Sequence, residues 1–221
     1  MNTQPIKKLN NQSTGEEIAN SISHGVGALL SIAATVIAVI YAVLKGDAVS
    51  VVSAALYGAS LIILYTSSTL YHAITNYTAK SVFQVFDHCT IFFLILGTYI
   101  PLTLSLIRGA LGWTLFGINT GCAVIGIVLN AIDLKKFSKI SMVLYILMGW
   151  SVIMVVRPVI DKVDTTGLVY LISGGLAYTA GTIFYGMKKT RFMHVVWHFF
   201  VLAGSILHFF FVLFYCLPVT R

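Results

Sequence analysis

The sequence predicts an all-α integral membrane protein: a seven-transmembrane helical bundle with its amino terminus cytoplasmic and its carboxyl terminus outside. Three observations predict it. Of 221 residues, 58% are hydrophobic and 10% charged, and the mean hydropathy of +0.91 lies far outside the range of soluble chains. Apolar stretches close to the ~20 residues a spanning helix needs recur seven times, at 21–44, 49–72, 83–106, 111–132, 140–156, 167–187 and 194–217. The connections are short, which leaves a polar cytoplasmic amino-terminal segment, 1–20, and one transmembrane domain, 21–217, with no room for a soluble domain.

The amino-terminal segment lacks the succession of basic, apolar and small residues that marks a cleaved secretory signal, so the first span is expected to stay. Thr14 followed by Glu17 resembles a capping box, which starts the first helix in water a turn or more before the membrane. Along that helix Glu17, Asn20 and His24 stand at i, i+3 and i+7, one polar face expected to pack against the bundle. The second span closes with Ser68-Thr-Leu-Tyr-His72 and the third carries Asp87 and His88 near its start. Lys135, Lys136 and Lys139 separate the fourth and fifth spans, and Lys188, Lys189 and Arg191 separate the sixth and seventh. The seventh opens with His194-Val-Val-Trp-His198 and carries His208 farther along. Cys89, Cys122 and Cys216 all fall in apolar spans without C-x-x-C spacing and read as packing residues.

Orientation follows from the basic residues, which are retained on the cytoplasmic side. Nine of the 14 fall on one side (Lys7, Lys8, Lys80, Lys135, Lys136, Lys139, Lys188, Lys189, Arg191) and five on the other (Lys45, Arg108, Arg157, Lys162, Arg221), which puts the amino terminus inside. The formal charge of +7 is then mostly this retention signal plus attraction to anionic lipid; no interleaving of basic and aromatic residues suggests nucleic-acid binding.

With topology set, the 1.5 Å rise per helical residue compares the depths of the polar residues. His72 lies near the cytoplasmic surface, with Ser68 one turn deeper on the same face; Asp87 lies about a turn inside the third span; His194 and His198 fall in the first turns of the seventh. Three imidazoles, a carboxylate and a hydroxyl thus reach one depth in the inner leaflet, where ionisable groups are costly and mark function. The i, i+4 spacing puts His194 and His198 on one helix face, as chelation requires. Three histidines with an open fourth position suit a catalytic Zn²⁺, which lowers the pKa of a bound water to about 7; Asp87 and Ser68 then serve that water or orient a ligand. Interfacial hydrogen bonding of each histidine, and pairing of Asp87 with Lys80 or His88, are the alternatives. His208, about 15 Å from His198, is too distant to share a metal and is expected to make a packing hydrogen bond. His88, rotated about 100° from Asp87, is left outside the site.

These pieces resemble a known family. Glu17-x-x-Asn20-x-x-x-His24, Ser68-x-x-x-His72, Phe86-Asp87-His88, Gly97-Thr-Tyr99-Ile-Pro101 and His194-x-x-x-His198 running on to Gly204-Ser205 together resemble the bacterial hemolysin III-type proteins of the progestin and adiponectin receptor superfamily. The resemblance covers nearly the whole chain. It implies seven helices with the amino terminus inside, zinc held by His72, His194 and His198, and Asp87 and Ser68 near the metal-bound water. It also implies a place in the bacterial cytoplasmic (inner) membrane and a link to membrane-lipid homeostasis.

Three functions compete. One is a zinc-dependent hydrolase of lipid amide or ester bonds, ceramidase-like, with Asp87 as base and then proton donor and Ser68 steadying the oxyanion or the water. The second is a non-enzymatic, receptor-like membrane sensor in which zinc braces the helices. The third is a pore-forming hemolysin, poorly supported because the polar residues concentrate in one leaflet. Membrane lipids are the expected partners in each case.

Overall fold

The computed structural model describes residues 12–219 and is helical throughout its regular elements. In chain order these are α1 (Thr14–Lys45), α2 (Ala48–Ala73), α3 (Tyr77–Ile100) running into a π-helical turn (Pro101–Ile107), and α4 (Gly109–Trp150). A 3₁₀ turn (Ser151–Val155), α5 (Val156–Ile160), α6 (Thr165–Gly186), and α7 (Met193–Phe211) with a closing π turn (Val212–Cys216) follow. Six helical runs among the described residues are long and apolar enough to cross a membrane.

The surface and the interior have exchanged the chemistry of a soluble protein. Leu29, Leu44 and Ile132 are about 70% exposed, at 70%, 71% and 69%, whereas Asn20, Ser50, Thr103, Asn119 and Asn130 are fully buried. Outward apolar side chains would be a liability in water and are at home in hydrocarbon. This is a multi-pass membrane protein.

The longest run, Gly109–Ile160, holds 52 residues, about 78 Å if straight and more than twice the hydrocarbon thickness. It is not straight. Asp133 leaves the helical region (φ −160°, ψ 95°) and its Oδ1 accepts from the backbone N–H groups of Lys135 and Lys136, restarting the helix as an N-cap. Across the break Ser141 donates to Asn130 (2.6 Å) and Asn119 to Ser151 (2.9 Å), so α4 doubles back on itself as an antiparallel pair of limbs. The seven apolar stretches therefore appear as six runs because the residues between the fourth and fifth stay helical on both sides of one capping aspartate.

Amino-terminal capping also differs in register from the sequence reading. The capping box pairs Ser13 with Glu16, not Thr14 with Glu17: Ser13 N–H donates to Glu16 Oε2 (2.9 Å) and Glu16 N–H to Ser13 Oγ (3.4 Å). The shift leaves Glu17 outside the cap, paired with His72 and Lys80. Of the polar 1–20 segment, residues 1–11 lie outside the described residues, and α1 begins within the remainder.

α1 packs along α2 and also meets α7; α6 pairs with α7, and α3 lies between α2 and α4. Close approach of α1 and α2 depends on Gly27, where a Cβ would stand 2.5 Å from the Tyr65 ring. Pro101 ends α3, since it has no N–H and its ring crowds the preceding turn. Nearby, Tyr99 accepts from the Val152 N–H (2.8 Å) and donates to the Gly149 carbonyl (2.9 Å), satisfying backbone groups freed where α4 gives way to the 3₁₀ turn.

At the end of the bundle away from His72, Asp47 caps α2 and pairs with Arg108 at 2.7 Å. The Ser50 backbone N–H holds the Asp47 carboxyl below its ordinary range; burial opposes it, and the hydrogen bonds from the Arg108 guanidinium and the Ser50 hydroxyl, with the Arg108 charge, add to the lowering. The sign follows: the pair stabilises the fold in full above the ordinary carboxylate range and loses that contribution as pH falls through the lowered folded value. Thermal melts of the protein and of Asp47→Asn across pH are expected to differ at neutral pH and to converge at the acid end.

Candidate metal centre

The end of α2 and the start of α7 bring three imidazoles together. One ring nitrogen from each of His72, His194 and His198 falls in a group lying within 4.8 Å of one another, and the ring centroids are 4.7 to 5.2 Å apart. His72 and His198 are buried, at 3% and 2% exposure. A tetrahedral zinc with Zn–N bonds near 2.0–2.1 Å sets nitrogens about 3.4 Å apart, a distance that small ring rotations reach. These three histidines can hold a metal ion.

Their tautomers support this. Glu17 Oε2 lies 2.7 Å from His72 Nδ1; a carboxylate only accepts, so the proton sits on Nδ1 and the Nε2 lone pair is left over. That Nε2 is buried and has no hydrogen-bond partner among the described residues, an expensive arrangement unless something else binds it. Ser23 makes the matching arrangement for His198. Its hydroxyl donates to the Asn20 carbonyl (2.8 Å), so its oxygen accepts from His198 Nδ1–H at 2.9 Å and again leaves Nε2 as the ligand atom. Support of the far nitrogen by an acceptor, most often a carboxylate, is the usual second layer around a histidine-bound metal; here Glu17 supplies a carboxylate and Ser23 a hydroxyl oxygen.

Glu17 is held in turn by Lys80, 3.1 Å away. The same ammonium donates to the carbonyls of Tyr71 (2.9 Å), His72 (3.4 Å) and Ile74 (3.3 Å) at the end of α2, where free carbonyls and the helix dipole favour a cation. His24 stacks on His198 with centroids 3.5 Å apart, which places the polar face of α1 against the site. Neither Glu17 as the partner of His72 nor Ser23 was identified from sequence. The Glu17-Asn20-His24 stripe was the available signal for the first; for Ser23 there was none beyond a hydroxyl in an apolar helix.

The remaining sequence candidates are placed differently. Ser68 is buried at 1% exposure, one turn from His72 on α2. The Asp87 carboxylate is not in the group of three; its Oδ2 lies 3.5 Å from His88 Nδ1, one of the two pairings the sequence allowed. Lys80, the other, is taken by Glu17. His88 turns out to be more than a bystander: its Nδ1 donates to the Gln84 carbonyl (2.9 Å) and its Nε2 lies 3.3 Å from the Tyr185 hydroxyl. His208 Nε2 donates to the Leu171 carbonyl at 3.1 Å, the packing bond expected of it.

Two cavities meet here. A polar vestibule of about 940 Å³ has His72 and His194 in its wall. An apolar cavity of about 120 Å³ runs between α3, α4, α6 and α7, lined among others by Ile95, Met142, Ile146, Trp197 and Val201. His88 and Tyr185 line both, so they form the wall between a wet mouth beside the imidazoles and a greasy interior.

Comparison with known proteins finds likeness over nearly the whole chain. A family model described as "Haemolysin-III related" matches residues 12–209. The chain is 44% identical over 205 residues to Hemolysin-3 of Bacillus cereus, covering 93% of this chain and 94% of that protein. It is 45% identical over 204 residues to the Hemolysin-3 homolog of Bacillus subtilis (strain 168), covering 92% and 96%. More distantly, it is 26% identical over 205 residues to the human Monocyte to macrophage differentiation factor, covering 88% and 82%.

Proposed function

The chain belongs to the haemolysin-III-related family, and from that premise and the imidazole cluster we propose a zinc-dependent hydrolase of lipid amide or ester bonds that serves membrane-lipid homeostasis in the bacterial cytoplasmic membrane. Each limb of α4 crosses the bilayer, giving seven crossings with the amino terminus cytoplasmic and the carboxyl terminus outside. The observation that carries the reading is the buried, unpartnered His72 Nε2 beside two further imidazoles. The apolar cavity adjoining the vestibule supports a lipid as substrate, because a chain in the one leaves a polar linkage near the other.

His72, His194 and His198 hold the metal through ring nitrogens, with Glu17 and Ser23 fixing two of the rings. When bound there, zinc supplies Lewis acidity toward a carbonyl and activates a water for attack. The Asp87 carboxylate accepts the proton that the attacking water loses and returns it to the departing amine or alcohol. The Ser68 hydroxyl donates to the oxygen on which negative charge develops.

The test compares zinc-loaded protein with Asp87→Asn on a panel of lipid amides and esters. Hydrolysis by the parent protein, and its loss by about 100-fold or more in a variant that keeps its zinc, is the expected result. No turnover of any lipid by fully zinc-loaded protein, with Asp87→Asn altering only thermal stability, would instead identify the metal as a brace between α2 and α7.

A further inference from the structure

The vestibule wall carries a charge pattern that the hydrolase reading leaves unused. Lys135, at the α4 break, and Lys188, Lys189 and Arg191, between α6 and α7, all line it. Against these four cations stands one carboxylate, Glu16, and it is already engaged. Glu16 Oε2 accepts from the backbone N–H and hydroxyl of Ser13, and Glu16 Oε1 accepts from the Phe192 N–H at 2.8 Å.

Two cations among the described residues pair with a carboxylate, Lys80 with Glu17 and Arg108 with Asp47, and neither lines the vestibule. Among the described residues, Lys135, Lys188, Lys189 and Arg191 have no carboxylate oxygen within 4.0 Å. Lys188 instead sits over the Tyr185 ring, 5.5 Å from its centroid, on the wall shared with the apolar cavity. Retention of positive charge on one side of a membrane requires cations on that side, but it does not require four of them around one cavity. Lys136 and Lys139 satisfy the same requirement and do not line the vestibule.

We propose that the vestibule is an anion subsite that binds a phosphate group, so that the ligand brought to the imidazoles is an anionic, phosphate-bearing molecule. The chemistry fits on three counts. Unpaired Lys and Arg side chains around a concave wall complement a phosphate. The volume of about 940 Å³ accommodates a headgroup larger than the phosphate alone. A neutral amide or ester in the same place would leave the wall with four cations facing the single carboxylate of Glu16. The proposal deepens the lipid-hydrolase reading and rests on it for what the ligand does next; the binding itself is measured without turnover.

The experiment uses the full chain, zinc-loaded, in a neutral detergent. Binding of dihexanoyl phosphatidylglycerol is compared with that of dihexanoyl glycerol, by thermophoresis, at low and high salt. Expected are binding of the phosphate-bearing lipid, little binding of the neutral one, and weakening by salt. In Lys188→Gln/Arg191→Gln the affinity is expected to fall about thirtyfold, while Lys136→Gln/Lys139→Gln, with the same loss of charge on the same side, changes it by less than about twofold. Glycerol 3-phosphate and inorganic phosphate serve as competitors: displacement at comparable concentration assigns the subsite to soluble phosphates, and failure to displace assigns it to lipid headgroups. Equal binding of the neutral lipid, or equal loss in both double variants, overturns the proposal. Because the salt dependence is read on the unmodified protein, a variant that fails to fold does not rescue it. Hydrolysis of neutral lipids that depends on Asp87, without selective anion binding, would sink this inference alone; selective binding without hydrolysis would sink the hydrolase reading alone.

Discussion

Replacing His198 with alanine is expected to abolish stoichiometric metal binding and with it the stabilisation that metal confers. His198 is 2% exposed, its Nδ1 is fixed by Ser23, and its ring stacks on His24, so its Nε2 is held in place as the ligand atom. Loss of one of three ligands should exceed the ~10–100-fold reduction typical of losing an outer-layer partner. Linkage gives the scale in stability: at a free metal concentration about 1,000 times Kd, binding to the folded state alone stabilises it by about 4 kcal/mol. Metal content by mass spectrometry and thermal melts with and without added zinc read both effects. The parent should gain stability with zinc; His198→Ala and His194→Ala should not. A zinc-dependent rise in melting temperature that survives in both variants would place the metal elsewhere.

Removing Glu17 should have the next largest effect, and in two measurable ways. Its carboxylate holds His72 Nδ1 at 2.7 Å and Lys80 at 3.1 Å, where the His72 side chain is fully buried and those of Lys80 and Glu17 are 12% and 16% exposed. Glu17→Ala strands the His72 ring N–H and removes the counter-charge of Lys80, whose ammonium keeps its three carbonyl acceptors, which places the stability cost near the lower end for a broken buried pair, about 3 kcal/mol. It also frees the His72 ring to turn and lets its proton move to Nε2, so zinc affinity should drop by ~10–100-fold. Glu17→Gln retains an acceptor for Nδ1–H and should recover most of the zinc affinity but less of the stability, since the charge facing Lys80 is gone. Competition with a chromophoric chelator measures the first quantity and thermal denaturation the second. Equal zinc affinity in Glu17→Ala and parent protein would contradict the assignment of His72 Nε2 as a ligand atom.

The sequence made some of this structure readable for physical reasons and withheld the rest for others. Apolar runs of spanning length are a one-dimensional property, so the helices could be placed from composition alone, and the common depth of His72, His194 and His198 follows from helical rise once the spans are known. Their convergence does not follow from depth; it needs α2 and α7 to turn the right faces toward each other, and packing settles that. The same limit explains Glu17. Its stripe with Asn20 and His24 is visible along α1, but the 2.7 Å contact to His72 depends on the register between α1 and α2. The capping box was read one residue late because Ser13-x-x-Glu16 and Thr14-x-x-Glu17 satisfy the same pattern, and only the geometry separates them. The break between the fourth and fifth apolar stretches was legible from its lysines, whereas the helix restarting immediately after Asp133 was not, since charged residues read as loop until a cap is seen. Lys135, Lys188, Lys189 and Arg191 read from sequence as part of a retention signal; that they share one cavity wall is a property of three dimensions.

Zinc-edge X-ray absorption on the purified, zinc-loaded protein reads the metal's ligands themselves. Expected are three nitrogens at about 2.0–2.1 Å, with the multiple-scattering pattern of imidazole, and one oxygen. The nitrogen contribution should drop in His72→Ala, His194→Ala and His198→Ala. A shell containing sulfur at about 2.3 Å, or one that is unchanged when those three histidines are replaced, would contradict it.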